Sequence, residues 1–266
     1  MNTEIRPLAL VTGASGGIGA QIALELARKG HDLVLVARRE EALREVAAQA
    51  EALGARATLL TADLAKPNAA PELMAELRQR GLRIDLLVNN AGLGDAGPFW
   101  ETDLLKVEEM LLVNVVALTE LTRLLAAEMV ARRQGRVLLV SSTAAFQPGP
   151  GMAVYFATKA YVQSLGEALA YEFRGTGVTL TTLCPGATST GFASVAGLEK
   201  SALFHGSMVM DAGLVAKCAV RAMMTGRKVI VTGLLNKLSA WSGRFLPRAL
   251  TLAVAHAMVV PSASQA

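Results

Sequence analysis

A doubly wound α/β architecture, with about seven parallel strands and helices on both faces, is predicted for this 266-residue chain by three features. Short apolar runs alternate with stretches of helical period, which requires right-handed crossovers that return each strand to the same end of a parallel sheet. The first apolar run ends in a glycine-rich turn that opens a helix. The chain is 52% hydrophobic, enough to fill the core of one large domain.

Residues 8–11 form the first strand, and Ile18, Ile22, Ala23 and Leu26 then recur at helical spacing until the stop at Lys29 and Gly30. Residues 32–37 read as strand, 40–53 as helix closed by Gly54, and 56–61 as strand, which completes a βαβαβ half. A helix over about 71–80 leads to a strand at 84–89, and beyond the Gly/Pro-rich stretch 92–98 a long helical region reaches about Arg133. Strand 136–141, a helix over about 154–174 and strand 178–183 follow. Residues 186–210 read as a long loop of weak periodicity, of the kind that serves as a lid. A helix at 211–224 and a strand at 228–231 complete a Rossmann-type domain over 1–233, and 234–266 is an amphipathic extension packed on that domain or on a partner.

Composition narrows the function. The net charge is +4, but no run of five like charges occurs, so no nucleic-acid groove is expected. Cys184 and Cys218 stand 34 residues apart, without metal-ligand spacing, and are expected to be buried, reduced residues; no metal site is predicted. Residues 1–7 are short and polar, unlike a signal peptide, and a cytoplasmic location is the expectation.

Gly13, Gly17 and Gly19 lie where strand one meets helix one, a place where backbone and a helix N-terminus can cradle a pyrophosphate. A tight turn kept for packing alone would also use glycines there. Strand two ends Val36-Ala37-Arg38-Arg39, with no acid to hold a free ribose, so the two arginines favour a 2′-phosphate and hence NADP(H), unless they are simply solvated. Asp63 can meet an adenine amino group or cap the next helix. The amides of Asn89-Asn90-Ala91-Gly92 are expected both to brace the turn and to touch the cofactor.

Tyr155 and Lys159 are four apart on one helical face, so an ammonium can lower the phenol's pKa and ready Tyr155 to exchange a proton with a carbonyl or alcohol oxygen. Ser142, 13 residues upstream at the end of strand five, can hold the same oxygen, and Asn114 can order a water that relays protons past Lys159. A tyrosine packed in the core beside a snorkelling lysine would give the same spacing. The succession of glycine turn, 89–92, Asn114, Ser142, Tyr155 and Lys159 favours chemistry.

With those residues in that order, residues 7–233 resemble the classical short-chain dehydrogenase/reductase superfamily, through TGASGGIG at 12–19, NNAG at 89–92, Asn114, Ser142, YFATK at 155–159 and CPGATST at 184–190. The resemblance implies Tyr155 as general acid/base, Lys159 as its electrostatic partner and a ribose ligand, Ser142 as substrate holder and Asn114 as a structural and relay residue. It implies cofactor contacts from the turn, including Ser15 and Ile18, from Asp63 and Leu64 beside adenine, from Asn90, Ala91 and Gly92, and from Pro185, Gly186, Thr188 and Thr190. The end of strand two looks like that of NADP-preferring members.

The apolar residues of the lid, Phe192, Val195, Leu198, Leu203, Phe204, Met208 and Met210, suit a lipophilic ketone or alcohol, or serve to pack the lid. Residues 234–250 read as one amphipathic helix with Leu234, Leu238, Trp241, Phe245 and Leu246 on one face and Lys237, Arg244 and Arg248 on another, fit for a membrane surface, a second subunit or closure over the site. The uncharged run 249–260 is too short to span a bilayer. The helix at 115–130, apolar on several sides through Val115, Val116, Leu118, Leu121, Leu124, Leu125 and Met129, should be largely buried; resemblance implies that it joins the Tyr155 helix in a homodimer or homotetramer contact. A carbonyl reductase or alcohol dehydrogenase is the principal expectation. A non-catalytic dinucleotide-binding regulator or scaffold has no need of the proton-transfer set, and a Rossmann methyltransferase lacks its acid at the end of strand two.

Overall fold

The computed structural model describes residues 6–198, 201–204, 209–242 and 245–259. Seven strands form one parallel sheet: β1 (Leu8–Thr12), β2 (Asp32–Ala37), β3 (Ala57–Thr61), β4 (Leu86–Asn89), β5 (Gly135–Val140), β6 (Val178–Cys184) and β9 (Val229–Val231), in the order β3-β2-β1-β4-β5-β6-β9. The chain winds outward from β1 to β3 and then returns to β4 on the other side of β1. That reversal opens a crevice at the carboxyl ends of β1 and β4, the place where doubly wound sheets bind ligands.

Alternation along the strands builds two cores. Ala9, Val11, Leu33 and Leu35 face α1 (Gly17–Arg28), α2 (Glu40–Ala52) and α8 (Ala212–Met224). Leu10, Val34 and Val36 face α3 (Ala69–Gln79), α5 (Leu118–Ala131) and α6 (Ala153–Glu172). Both faces are covered, so the strands are apolar throughout.

Five expectations change. The helical region before Arg133 is α4 (Leu104–Leu111), a π-helical turn at Leu112–Ala117, and α5, continuous over 28 residues. By length and composition this run could cross a bilayer, yet half of its most apolar stretch is buried. Leu118, Leu121, Leu125 and Met129 sit in the core as expected, but Val116, within the π turn, is exposed, as is Leu111. The lid carries structure of its own: β7 (Thr188–Ser189) pairs with β8 (Met210–Asp211), and α7 (Phe192–Val195) lies between them. Residues 234–250 are not one helix but α9 (Leu234–Ser242) and the start of α10 (Arg248–Val259), parted ahead of Pro247, which disfavours helix in the residue before it. Cys184 is buried, whereas Cys218 is exposed on α8. Met208 and Arg244 lie outside the described residues.

Candidate active site

A cleft of about 700 Å³ runs from the glycine-rich turn, over the ends of β4 and β5, to the lid and α10. Gly13 and Gly17 take left-handed φ values of 64° and 57°. A Cβ on Gly13 would stand 2.8 Å from the Asn90 amide nitrogen, and one on Gly19 would collide with that amide and the Gly13 carbonyl oxygen. Helix α1 starts at Gly17 with no side-chain cap and no acid in its first turn, so its N–H groups and positive end are free for an anion. Arg38 and Arg39 line the same end, with an Arg39 guanidinium nitrogen 3.9 Å from where a Gly16 Cβ would be. These residues fit a dinucleotide with an additional phosphate.

Ser15, Ile18, Asp63, Leu64, Ala91, Gly92, Pro185, Gly186, Thr188 and Thr190 line the cleft, whereas Gly19 does not; it lies behind the wall, letting α1 pack closely. Asp63 does not cap α3, which starts after Asn68; its carboxylate accepts from Ala65 N at 3.1 Å and closes a local turn. Asn89 is wholly structural, donating to Leu118 O and Thr122 Oγ1. Asn90 donates to Thr12 O and Gly13 O, bracing the turn from a position that also lines the cleft. Thr12, whose hydroxyl accepts from both Asn90 N and Ala91 N, ties β1 to β4 and was given no role by sequence reasoning; its side chain sits in a strand that is otherwise uniformly apolar, which is the available signal.

Tyr155, Ser142 and Lys159 meet at the middle of the cleft. The first turns of α6 supply Tyr155 and Lys159, while Ser142 follows β5 and accepts from Ala144 N at 3.1 Å. Ser142 lies close enough to the Tyr155 phenol to favour its ionised form, and Lys159 Nζ lies 5.7 Å from the tyrosine ring centroid. The expected lowering of the phenol does not occur. Burial pushes Tyr155 up to about 12, with Ser142 opposing, while Lys159 Nζ donates to Val140 O at 3.0 Å. Burial likewise pulls Lys159 down to about 8, against the influence of nearby Cys184. Asn114, fully buried, does not line the cleft. Its oxygen accepts from Leu93 N, and its amide nitrogen donates to Leu93 O and Thr158 Oγ1. It thereby clamps the strand-four loop onto α6.

The far half of the cleft is apolar. Tyr155 stacks obliquely on Phe192 at 5.3 Å, and Phe192 on Phe204 at 6.4 Å. Gly94 makes room for this, since a Cβ there would be 2.5 Å from the Phe192 ring. Val195, Leu198 and Leu203 belong to the same wall, but Met210 packs toward the core beneath α8. Met152 and Phe156, and from the C-terminal segment Ala240, Ala255, Met258 and Val259, complete it. Ser201 Oγ donates to Met258 O at 2.7 Å and ties lid to α10.

A doubly wound sheet with an uncapped glycine turn at its switch point and a Ser, Tyr, Lys set beside it defines a Rossmann-type dinucleotide protein. Residues 7–200 match the short chain dehydrogenase family, and the chain belongs to it. It is similar to the Sesamum indicum 11-beta-hydroxysteroid dehydrogenase A and the Mycosarcoma maydis very-long-chain 3-oxoacyl-CoA reductase, each 36% identical over 179 residues, covering 66% of this chain. Those alignments cover 51% of each relative, so the chain spans about half the length of these proteins. A short-chain dehydrogenase from Sphingobium yanoikuyae in complex with NADPH superposes with a TM-score of 0.80 at 33% identity, over 90% of this chain and 93% of that one.

Proposed function

We propose that the protein is an NADP(H)-dependent oxidoreductase that interconverts a lipophilic ketone and its secondary alcohol, with Tyr155 as general acid/base. The observation that carries this is the placement of Tyr155, with Ser142 and Lys159, between a glycine cradle and an apolar wall within one cleft. When bound, the dinucleotide supplies or accepts the hydride. In reduction, Ser142 and Tyr155 hold the carbonyl oxygen, and the phenol, protonated at neutral pH, gives its proton to the forming alkoxide, a far stronger base. Lys159 places a positive charge beside the resulting phenolate. Oxidation reverses each transfer.

NADP(H) preference is supported by Arg38 and Arg39 and by Ala37 where an acid would hold a free ribose. Loss of absorbance on incubating the protein with NADPH and a panel of apolar ketones tests the activity. Charge-assisted bonds of about 1.5–3 kcal/mol each imply that Arg38→Ala and Arg39→Ala raise KM for NADPH roughly 10- to 100-fold and leave that for NADH unchanged. Equal kcat/KM with the two cofactors in the wild type would remove the preference. A homodimer or homotetramer is supported by exposed Trp100, Leu104, Leu105, Leu111, Val116 and Tyr161 around α4, α5 and α6.

A further inference from the structure

Positive charge is unevenly placed along the chain. From Ala212 onward there are seven Lys/Arg and no Asp or Glu, whereas the 211 residues before it hold nineteen Lys/Arg against 22 acids. The last fifth of the molecule therefore carries +7 and the rest −3. Within it, α9 and α10 each carry two stripes. The inner stripe, with Ala240 on α9 and Ala255 and Val259 on α10, is buried and lines the cleft. The outer side exposes Leu234, Leu238 and Trp241, then Phe245 and Leu250; Trp241 is 68% and Phe245 74% exposed, with ring centroids 5.7 Å apart. Lys237 and Arg248 are exposed on the same two helices.

We propose that this outer side of α9 and α10 docks peripherally on an anionic lipid bilayer. Leucines with an aromatic pair form the apolar half of an interfacial surface, and tryptophan favours the headgroup boundary. Basic side chains with no acid among them complement anionic headgroups. A second copy of the chain suits the face poorly, because a two-fold contact would bring Lys237 and Arg248 of both copies into one interface with no carboxylate in the segment to pair them. Helix α10, 12 residues and about 18 Å long, lies on a bilayer rather than crossing it.

The docking is independent of the catalytic assignment and is tested without turnover. The full chain is co-sedimented with vesicles of phosphatidylcholine alone and of phosphatidylcholine mixed with phosphatidylserine. We expect binding to the mixed vesicles, weakened by high salt, and roughly tenfold or greater loss of partitioning for the double variant Leu238→Glu, Trp241→Glu, whose positions are exposed. Lys237→Glu with Arg248→Glu, which leaves the apolar face intact, should abolish the preference for phosphatidylserine. Wild-type protein remaining in the supernatant, or either variant binding as the wild type does, overturns the proposal. So does a lower solution mass for the Leu238, Trp241 variant by light scattering, which would show that a second copy covers the face.

Discussion

Tyr155 and Lys159 share a wall but not a hydrogen bond, and both are displaced from their ordinary titration ranges by burial. Removing only the phenolic oxygen, in Tyr155→Phe, should lower kcat by about 10²- to 10⁴-fold with NADPH affinity kept, as read by steady-state kinetics and a fluorescence titration. The lysine has a second consequence. Between about pH 8 and 10.5 the unfolded chain holds a proton that the folded amine has released, so stability rises with pH across that window. Tyr155 acts in the opposite sense between 10.0 and about 12, where the folded protein keeps a proton that the unfolded chain has lost. Lys159→Met should therefore raise stability at pH 7 by on the order of 1–3 kcal/mol in urea unfolding, a gain that disappears above pH 10.5, while activity is lost. The pairing was legible from the four-residue spacing. Its titration was not, because the carbonyl of Val140 that claims the ammonium belongs to a strand distant in sequence.

At the scale of elements, Asn114 shows how a π-helical turn is used. The bulge holds its side chain against Leu93 and Thr158, joining the strand-four loop to α6. Asn114→Ala leaves the partly buried Leu93 backbone groups without their side-chain partner, and we expect a cost of about 1–3 kcal/mol in urea unfolding, accompanied by reduced kcat. The strands and the larger helices were readable from period alone. The π turn was not, since six residues are too few to separate its period from that of the flanking helices. The short β7 and α7 fall below any periodic window for the same reason. The break before α10 was signalled by Pro247, but the apolar stripe continuing across it obscured the signal. On α10, Met258 lines the cleft, so Met258→Trp should lower kcat/KM for bulky ketones about 10- to 200-fold more than for small ones, as measured with paired substrates.

For the whole molecule, the unpartnered apolar residues of α4 to α6 set the expected assembly. Trp100→Glu with Leu105→Glu places two carboxylates on that face, and light scattering should show the mass falling to the 27.9 kDa of one chain. The apolar character of both this face and the C-terminal helices is visible in composition, but which side of each helix looks outward is decided only when the sheet and the lid are in place.

The tie between Ser201 and Met258 joins two parts of the chain with different duties. The groups proposed to hold the cofactor and move the proton all precede Gly191, whereas a large share of the apolar cleft wall comes from beyond Gly233. A molecule divided this way can exchange its tail without disturbing its chemistry. Grafting another α9 and α10 after β9, with a serine kept at 201 to receive them, would make chimaeras that reduce different ketones by the same hand-off of a proton.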